Sequence, residues 1–197
     1  MIPEVDLRRK SILLLQDIAR IVQTAMLSLK VVFESVNNAE TREEAYQRIK
    51  SSLSELRSKR EELINTLVRT GSIMSGKDEL IRLSGLLVAL AEEAEAVAYR
   101  AINYTVFSSM SNDFARSLMK LVSSISEAAS YVREAIFLMG ANPNMVNSVA
   151  DRISRKKEEI DGTYRRLEVE VLAGRLQDPY ATIASLEVLK RLEGLSN

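Results

Sequence analysis

Three carboxylates crowd one short apolar stretch, Glu92, Glu93 and Glu95 in "LLVALAEEAEAVAYRA", and a carboxylate group of this kind can bind a hard cation, move a proton, or face water. Metal binding needs further oxygen donors from a second element, because one helical face offers only residues three or four apart. On the preceding segment Glu55 and Lys59 stand four apart. Later in the chain Lys157 and Asp161 repeat that spacing, with Glu193 close to the C-terminus.

Composition removes most other chemistry. The chain has no cysteine and no histidine. Thiolate nucleophiles, histidine-based triads and the usual ligands of zinc and di-iron sites are therefore absent, and an enzyme is not expected. Lys plus Arg and Asp plus Glu each number 27, so zero net charge gives no global attraction to nucleic acid or an anionic membrane. The basic runs "RSKR" at 57–60 and "RKK" at 155–157 are each followed at once by "EE" and read as solvated helix faces. "GKDE" at 76–79 lacks the rest of a phosphate loop, and the serines of "SSMS" and "SSIS" lack a base. The N-terminal "MIPEVDLRRKSILLLQ" has a short apolar run and no small-residue cleavage site, so it reads as an amphipathic helix start. No stretch approaches the ~18 uninterrupted apolar residues of a membrane span, and a cytoplasmic protein without membrane insertion is expected.

The elements that must position these residues are helices. Ile12, Leu15, Ala19, Val22, Met26, Leu29, Val32 and Val36 step by three and four, giving a helix from about Glu4 to Val36. Thr41 and Glu44 have capping-box spacing and open a second helix, which runs to Gly71. Ser75 and Asp78 repeat that pattern before a third, reaching about Val106. A polar break, "SSMSND", precedes a fourth helix ending at Gly140. Asn142 and Pro143 then read as N-cap and first helical residue of a fifth, Met145 to Ala173, stopped by Gly174; Asp178 and Pro179 do the same for a sixth. Nothing alternates with period two, so the fold class is all-α. Met26, Met110, Met119, Met139 and Met145 read as core filling, and Tyr46, Tyr99, Tyr104, Tyr131, Tyr164 and Tyr180 as edge-of-core residues.

Residues 1–107 and 108–197 each read as long helix, long helix ending in glycine, and third helix. Helix order alone fits an internal repeat and a chance division of six helices equally well.

The stretch "ELRSKREELINTLVRTGSIMSGKDELIRLSGLLVALAEEAEAVAYRA" resembles the centre of the PhoU-like phosphate-uptake regulators, including the branch that accompanies inorganic phosphate permeases. The similarity covers roughly residues 45–104 and is fainter over 145–197. It implies six helices in two tandem antiparallel three-helix bundles packed as one compact unit, with a regulatory role exercised by protein contact. The implied partners are a phosphate transporter or its signalling partner, with homo-oligomer formation as an option.

The family's acidic motif, Glu-x-x-x-Asp on the second helix of a bundle and an acidic pair on the third, maps onto Glu55 and Lys59, and onto Val88 and Glu92 with Glu95 trailing. In the second copy it maps onto Lys157 and Asp161, preceded by Ile160, and onto Glu193 and Asn197. Half of the implied ligands are replaced. Three readings remain: a solvated charged face, a working site for a divalent or iron cation, and metal-free clusters in which lysine supplies the positive charge, Glu55/Lys59/Glu92 and Lys157/Asp161/Glu193. No cofactor is expected. Outside the family, a helical structural or oligomerisation module and a carboxylate-metal-binding protein are the alternatives.

Overall fold

The computed structural model describes residues 4–69, 74–103, 111–173 and 178–196. Among them the regular elements are six α-helices, α1 (Glu4–Glu34), α2 (Ala39–Arg69), α3 (Lys77–Asn103), α4 (Asn112–Ala141), α5 (Val146–Leu172) and α6 (Pro179–Gly194), with a 3-10 turn over Pro143–Met145. The expected all-α fold is the observed one. Gly71, Tyr104, Val106, Met110, Gly174 and Asn197 lie outside the described residues.

Helix α1 is the axis of the molecule. It packs against α2, α3 and α4, while α6 reaches back to α3 as well as to α5. Contact on several sides explains a second apolar stripe, Leu14, Ile18, Ile21, Ala25 and Phe33, buried along with most of the expected one; Ile12 is half-buried, and Val36, also half-buried, lies past the end of α1 at Glu34. Helix α1 is also long and apolar enough by mean hydropathy to cross a membrane, although polar residues such as Gln16, Asp17 and Arg20 interrupt its apolar run, as read from the sequence, and most of that window is buried inside the molecule. The buried residues form one continuous core that includes Leu29, Leu63, Ala94, Leu121, Leu167 and Val188, one from each helix.

Burial repeats along the chain. Ser11, Leu15, Ile18, Val22, Met26 and Phe33 of α1 recur at a constant shift as buried Phe114, Leu118, Leu121, Ile125, Ala129 and Ile136 of α4. A nearly equal shift carries Ala45, Leu56, Leu63 and Leu67 of α2 onto Val149, Ile160, Leu167 and Val171 of α5.

The helix starts require three corrections. The cap of α2 is Asn38, whose Oδ1 accepts from the Thr41 amide at 3.0 Å, so Thr41 lies inside the first turn. Asn38 precedes Thr41 by three residues, and Asn is preferred over Thr as an N-cap. At α3 the turn is Ser75–Gly76, with Gly76 at φ 80, and its carbonyl accepts from the Leu80 amide, so the helix begins at Lys77. Asn142 makes no side-chain cap, because Pro143–Met145 forms a 3-10 turn before α5 begins at Val146. Asp178 does cap α6, accepting from the Tyr180 amide with Pro179 in the first turn. Ser111 caps α4 by accepting from Phe114.

Of the methionines, Met26 is in the core, Met139 and Met145 are exposed, and Met119 is half-buried.

Candidate functional site

Successive residues of a helix turn by about 100°. Glu92 and Glu95 therefore share one side of α3, toward α2, and Glu93 is turned away. Glu92 accepts from Arg57 Nη2 at 2.9 Å, across exposed surface. Glu95 accepts from the Tyr46 hydroxyl at 2.6 Å, beside a Tyr46–Tyr99 ring contact of 6.3 Å between centroids. Burial, reinforced by the hydrogen bond to the Glu95 carboxylate, pushes the Tyr46 phenol up to about 12. Glu93 is held from the other half of the chain: Arg191 Nη1 on α6 donates to both of its oxygens, at 3.2 and 3.1 Å. Three neighbouring acids thus have three separate partners.

Glu55 faces Arg20 of α1 at 3.9 Å. Lys59 donates instead to Glu62 at 3.3 Å, and Glu62 also meets Lys10 of α1 at 3.4 Å. The expected Glu55/Lys59/Glu92 grouping is corrected accordingly. Glu62 already has Lys10 on its far side, and the two ammonium groups draw its carboxyl below the usual carboxylate range, Lys59 contributing most. Arg57, one residue after a buried leucine and unassigned from the sequence, fills the role expected of Lys59 toward Glu92. Val88, at a position where the family motif carries an acid, packs against the core.

In the second half Asp161 is partly buried and has no ion pair among the described residues. Lys157 lines a largely apolar pocket of about 160 Å³ with Ile125, Val132, Ile160 and Leu195. Glu193 lies near Tyr164, whose hydroxyl donates to Glu168 at 2.8 Å. Burial and the Glu168 carboxylate push the Tyr164 phenol up to about 12 as well.

Lys156, the neighbour of Lys157, sits between carboxylates of two helices. Its ammonium lies 2.7 Å from Glu159 and 2.9 Å from Glu127 of α4, with only 16% of the side chain exposed. Hydrogen bonds to Glu159 and Glu127, in that order, raise the Lys156 pKa, and both carboxyls are lowered. Around them Ser124 donates to Glu159, Tyr131 to Glu127, and Arg152 lies over the Tyr131 ring while pairing with Glu134 at 3.0 Å. The i, i+3 pairing of Lys156 with Glu159 was legible in the sequence; Glu127 comes from another helix and gave no signal.

Hard divalent and trivalent cations need several oxygens converging within about 2.0–2.6 Å of one point. Among the described residues no three potential ligands converge in that way. Glu92, Glu93 and Glu95 point to Arg57, Arg191 and Tyr46, so this donor set does not fit a cation.

No family model and no curated protein sequence matches the chain. Solved structures do. A PhoU-like protein from Shewanella oneidensis MR-1, known from a crystal structure at 2.00 Å, superposes with a TM-score of 0.80 at 15% identity, over 94% of this chain and 92% of that one. The fold is PhoU-like. A putative PhoU-like phosphate regulatory protein from the same organism, at 2.28 Å, gives 0.74 at 15% identity, covering 94% and 91%. Of the positions onto which the acidic motif was mapped in α2 and α3, Glu55 and Glu92 meet Arg20 and Arg57, Glu95 accepts from Tyr46, and Val88 packs against the core.

Proposed function

We propose that this chain is a non-enzymatic, PhoU-like regulator or accessory protein of phosphate transport, acting through protein contact. The observation that carries the reading is the superposition at TM-score 0.80 over nearly the whole of both chains on a PhoU-like protein, seconded by a neighbour described as a phosphate regulatory protein. A composition without cysteine or histidine supports the non-enzymatic part. The two halves, 1–107 and 108–197, act as tandem three-helix units on a shared core.

In this reading the acidic motif no longer works as a metal centre. Arg57 and Arg20 supply positive charge at the motif acids Glu92 and Glu55, and Lys59, Lys156 and Arg191 do so at the neighbouring acids Glu62, Glu127 with Glu159, and Glu93. Deleting the gene should alter phosphate uptake or the response to phosphate starvation; unchanged uptake and response would overturn the regulatory role. Elemental analysis of protein purified without added metal should find no stoichiometric iron, zinc or manganese.

A further inference from the structure

A shallow cleft of about 420 Å³ lies where the start of α1 crosses the end of α4, lined by Arg8, Arg9, Ile12, Leu13, Gln16, Gly140 and Ala141. Close approach of the two helices depends on Gly140: a Cβ there would stand 3.0 Å from Ile12 Cγ2 and 3.2 Å from Gln16 Nε2. Gln16 ties the crossing by donating to the Phe137 carbonyl at 3.3 Å. Beside the cleft two large apolar side chains face solvent, Leu13 at 52% and Phe137 at 57%. Leu13 shares a face of α1 with Arg9 and Gln16, and Phe137 shares a face of α4 with Gly140 and Ala141, by their three- and four-residue spacing.

The charges of this cleft are unlike those of the rest of α1. Lys10 is paired with Glu62, Arg20 with Asp17 and Glu55, and Lys30 with Glu34. Arg8 and Arg9 are exposed and have no ion pair among the described residues. Two exposed guanidinium groups without an ion pair among the described residues therefore flank an apolar groove on a chain of zero net charge. Guanidinium groups pair with carboxylates in bidentate fashion, and a groove between crossing helices accepts an amphipathic helix.

We infer that this cleft is the docking site for an amphipathic helix of a partner protein, one that carries apolar residues at three- and four-residue spacing and carboxylates along one edge. Leu13 and Phe137 take its apolar face, and Arg8 and Arg9 take its acidic edge. The inference rests on the reading that the protein acts by protein contact and specifies where and with what chemistry.

The test uses the full chain and a fluorescein-labelled synthetic helix of about four turns, with leucines on one face and glutamates along one edge, followed by fluorescence anisotropy. A second peptide carries lysines in place of the glutamates, and vesicles of phosphatidylcholine and phosphatidylglycerol form a third arm. The acidic peptide should bind, weaken with added salt, and lose affinity by about tenfold or more in R8E/R9E and in F137S, with helical circular dichroism unchanged. The lysine peptide should bind far more weakly. Equal binding of both peptides, or binding indifferent to these substitutions, would overturn the proposal. So would vesicle binding that the same variants abolish while the acidic peptide does not bind, since the occupant would then be a membrane surface. Dimerisation of the chain that R8E/R9E abolishes would likewise assign the cleft to a second copy and overturn it. In cells, a deletion that alters phosphate uptake with R8E/R9E/F137S behaving as wild type would refute the cleft and keep the regulatory reading. A deletion without effect would refute the regulatory reading itself.

Discussion

Lys156 is the residue where charge and packing meet most closely. Two carboxylates of different helices share its ammonium, and it is nearly covered. Replacing it with methionine keeps the stem and removes the ammonium that Glu127 and Glu159 share, leaving Glu127 with Tyr131 and Arg152, and Glu159 with Ser124 and Lys120. Urea unfolding of K156M should show a loss of about 1–2 kcal/mol at neutral pH. Both carboxyls titrate below their ordinary values, so the stability they contribute is present above the unfolded carboxyl range and is lost as pH falls through their lower folded values. The gap between wild type and K156M should therefore narrow on acidification below about pH 4.5. Tyr46 and Tyr164 give the alkaline counterpart. With folded phenols at about 12 and unfolded ones near 10, folded protein holds protons that the unfolded chain has released. Stability should decline between those values, and Y46F with Y164F should flatten the decline in an unfolding series across that range. A lowered alkaline limit that is the same in the double variant would refute this.

At the scale of the element, α2 offers a direct comparison of two caps. N38A removes the side chain that accepts from Thr41 and should cost about 1 kcal/mol, whereas T41A, inside the first turn, should cost a few tenths. Equal losses would restore the capping box read from the sequence. The glycines of α4 and α5 provide another contrast. A Cβ at Gly162 meets nothing within 4 Å, so G162A should stabilise by about 0.5–1 kcal/mol through helix propensity alone. At Gly140 the added group meets Ile12 and Gln16, and G140V should instead destabilise by about 1–3 kcal/mol by forcing α1 and α4 apart. Thermal melts of the two variants should move in opposite directions.

For the whole molecule the decisive fact is that α1 serves both halves. Leu29 is fully buried in a core to which all six helices contribute. L29A should cost about 2–5 kcal/mol and lower a single transition, seen at the same denaturant concentration by circular dichroism and by a fluorescent probe on α6. Two separated transitions would show that the halves unfold independently. Arg191 and Glu93 add a polar tie between α6 and α3, visible only because residues almost a hundred positions apart are brought within 3.1 Å.

Sequence alone determined the helices, since an apolar period of three and four, with glycine, proline and capping residues at its ends, is local information. Buried Leu15, Val22, Met26 and Leu29 were legible for that reason, as was the Asp178–Pro179 start of α6. The PhoU-like fold implied by the resemblance over residues 45–104 was legible too. Only the tertiary structure decided which charges meet. An ion pair depends on the azimuth of two helices to within a fraction of a turn, and a one-residue difference moves a side chain by about 100°. That is why Lys156 rather than Lys157 lies between Glu127 and Glu159, why Arg57 rather than Lys59 meets Glu92, and why Arg8 and Arg9 are left exposed beside an apolar cleft.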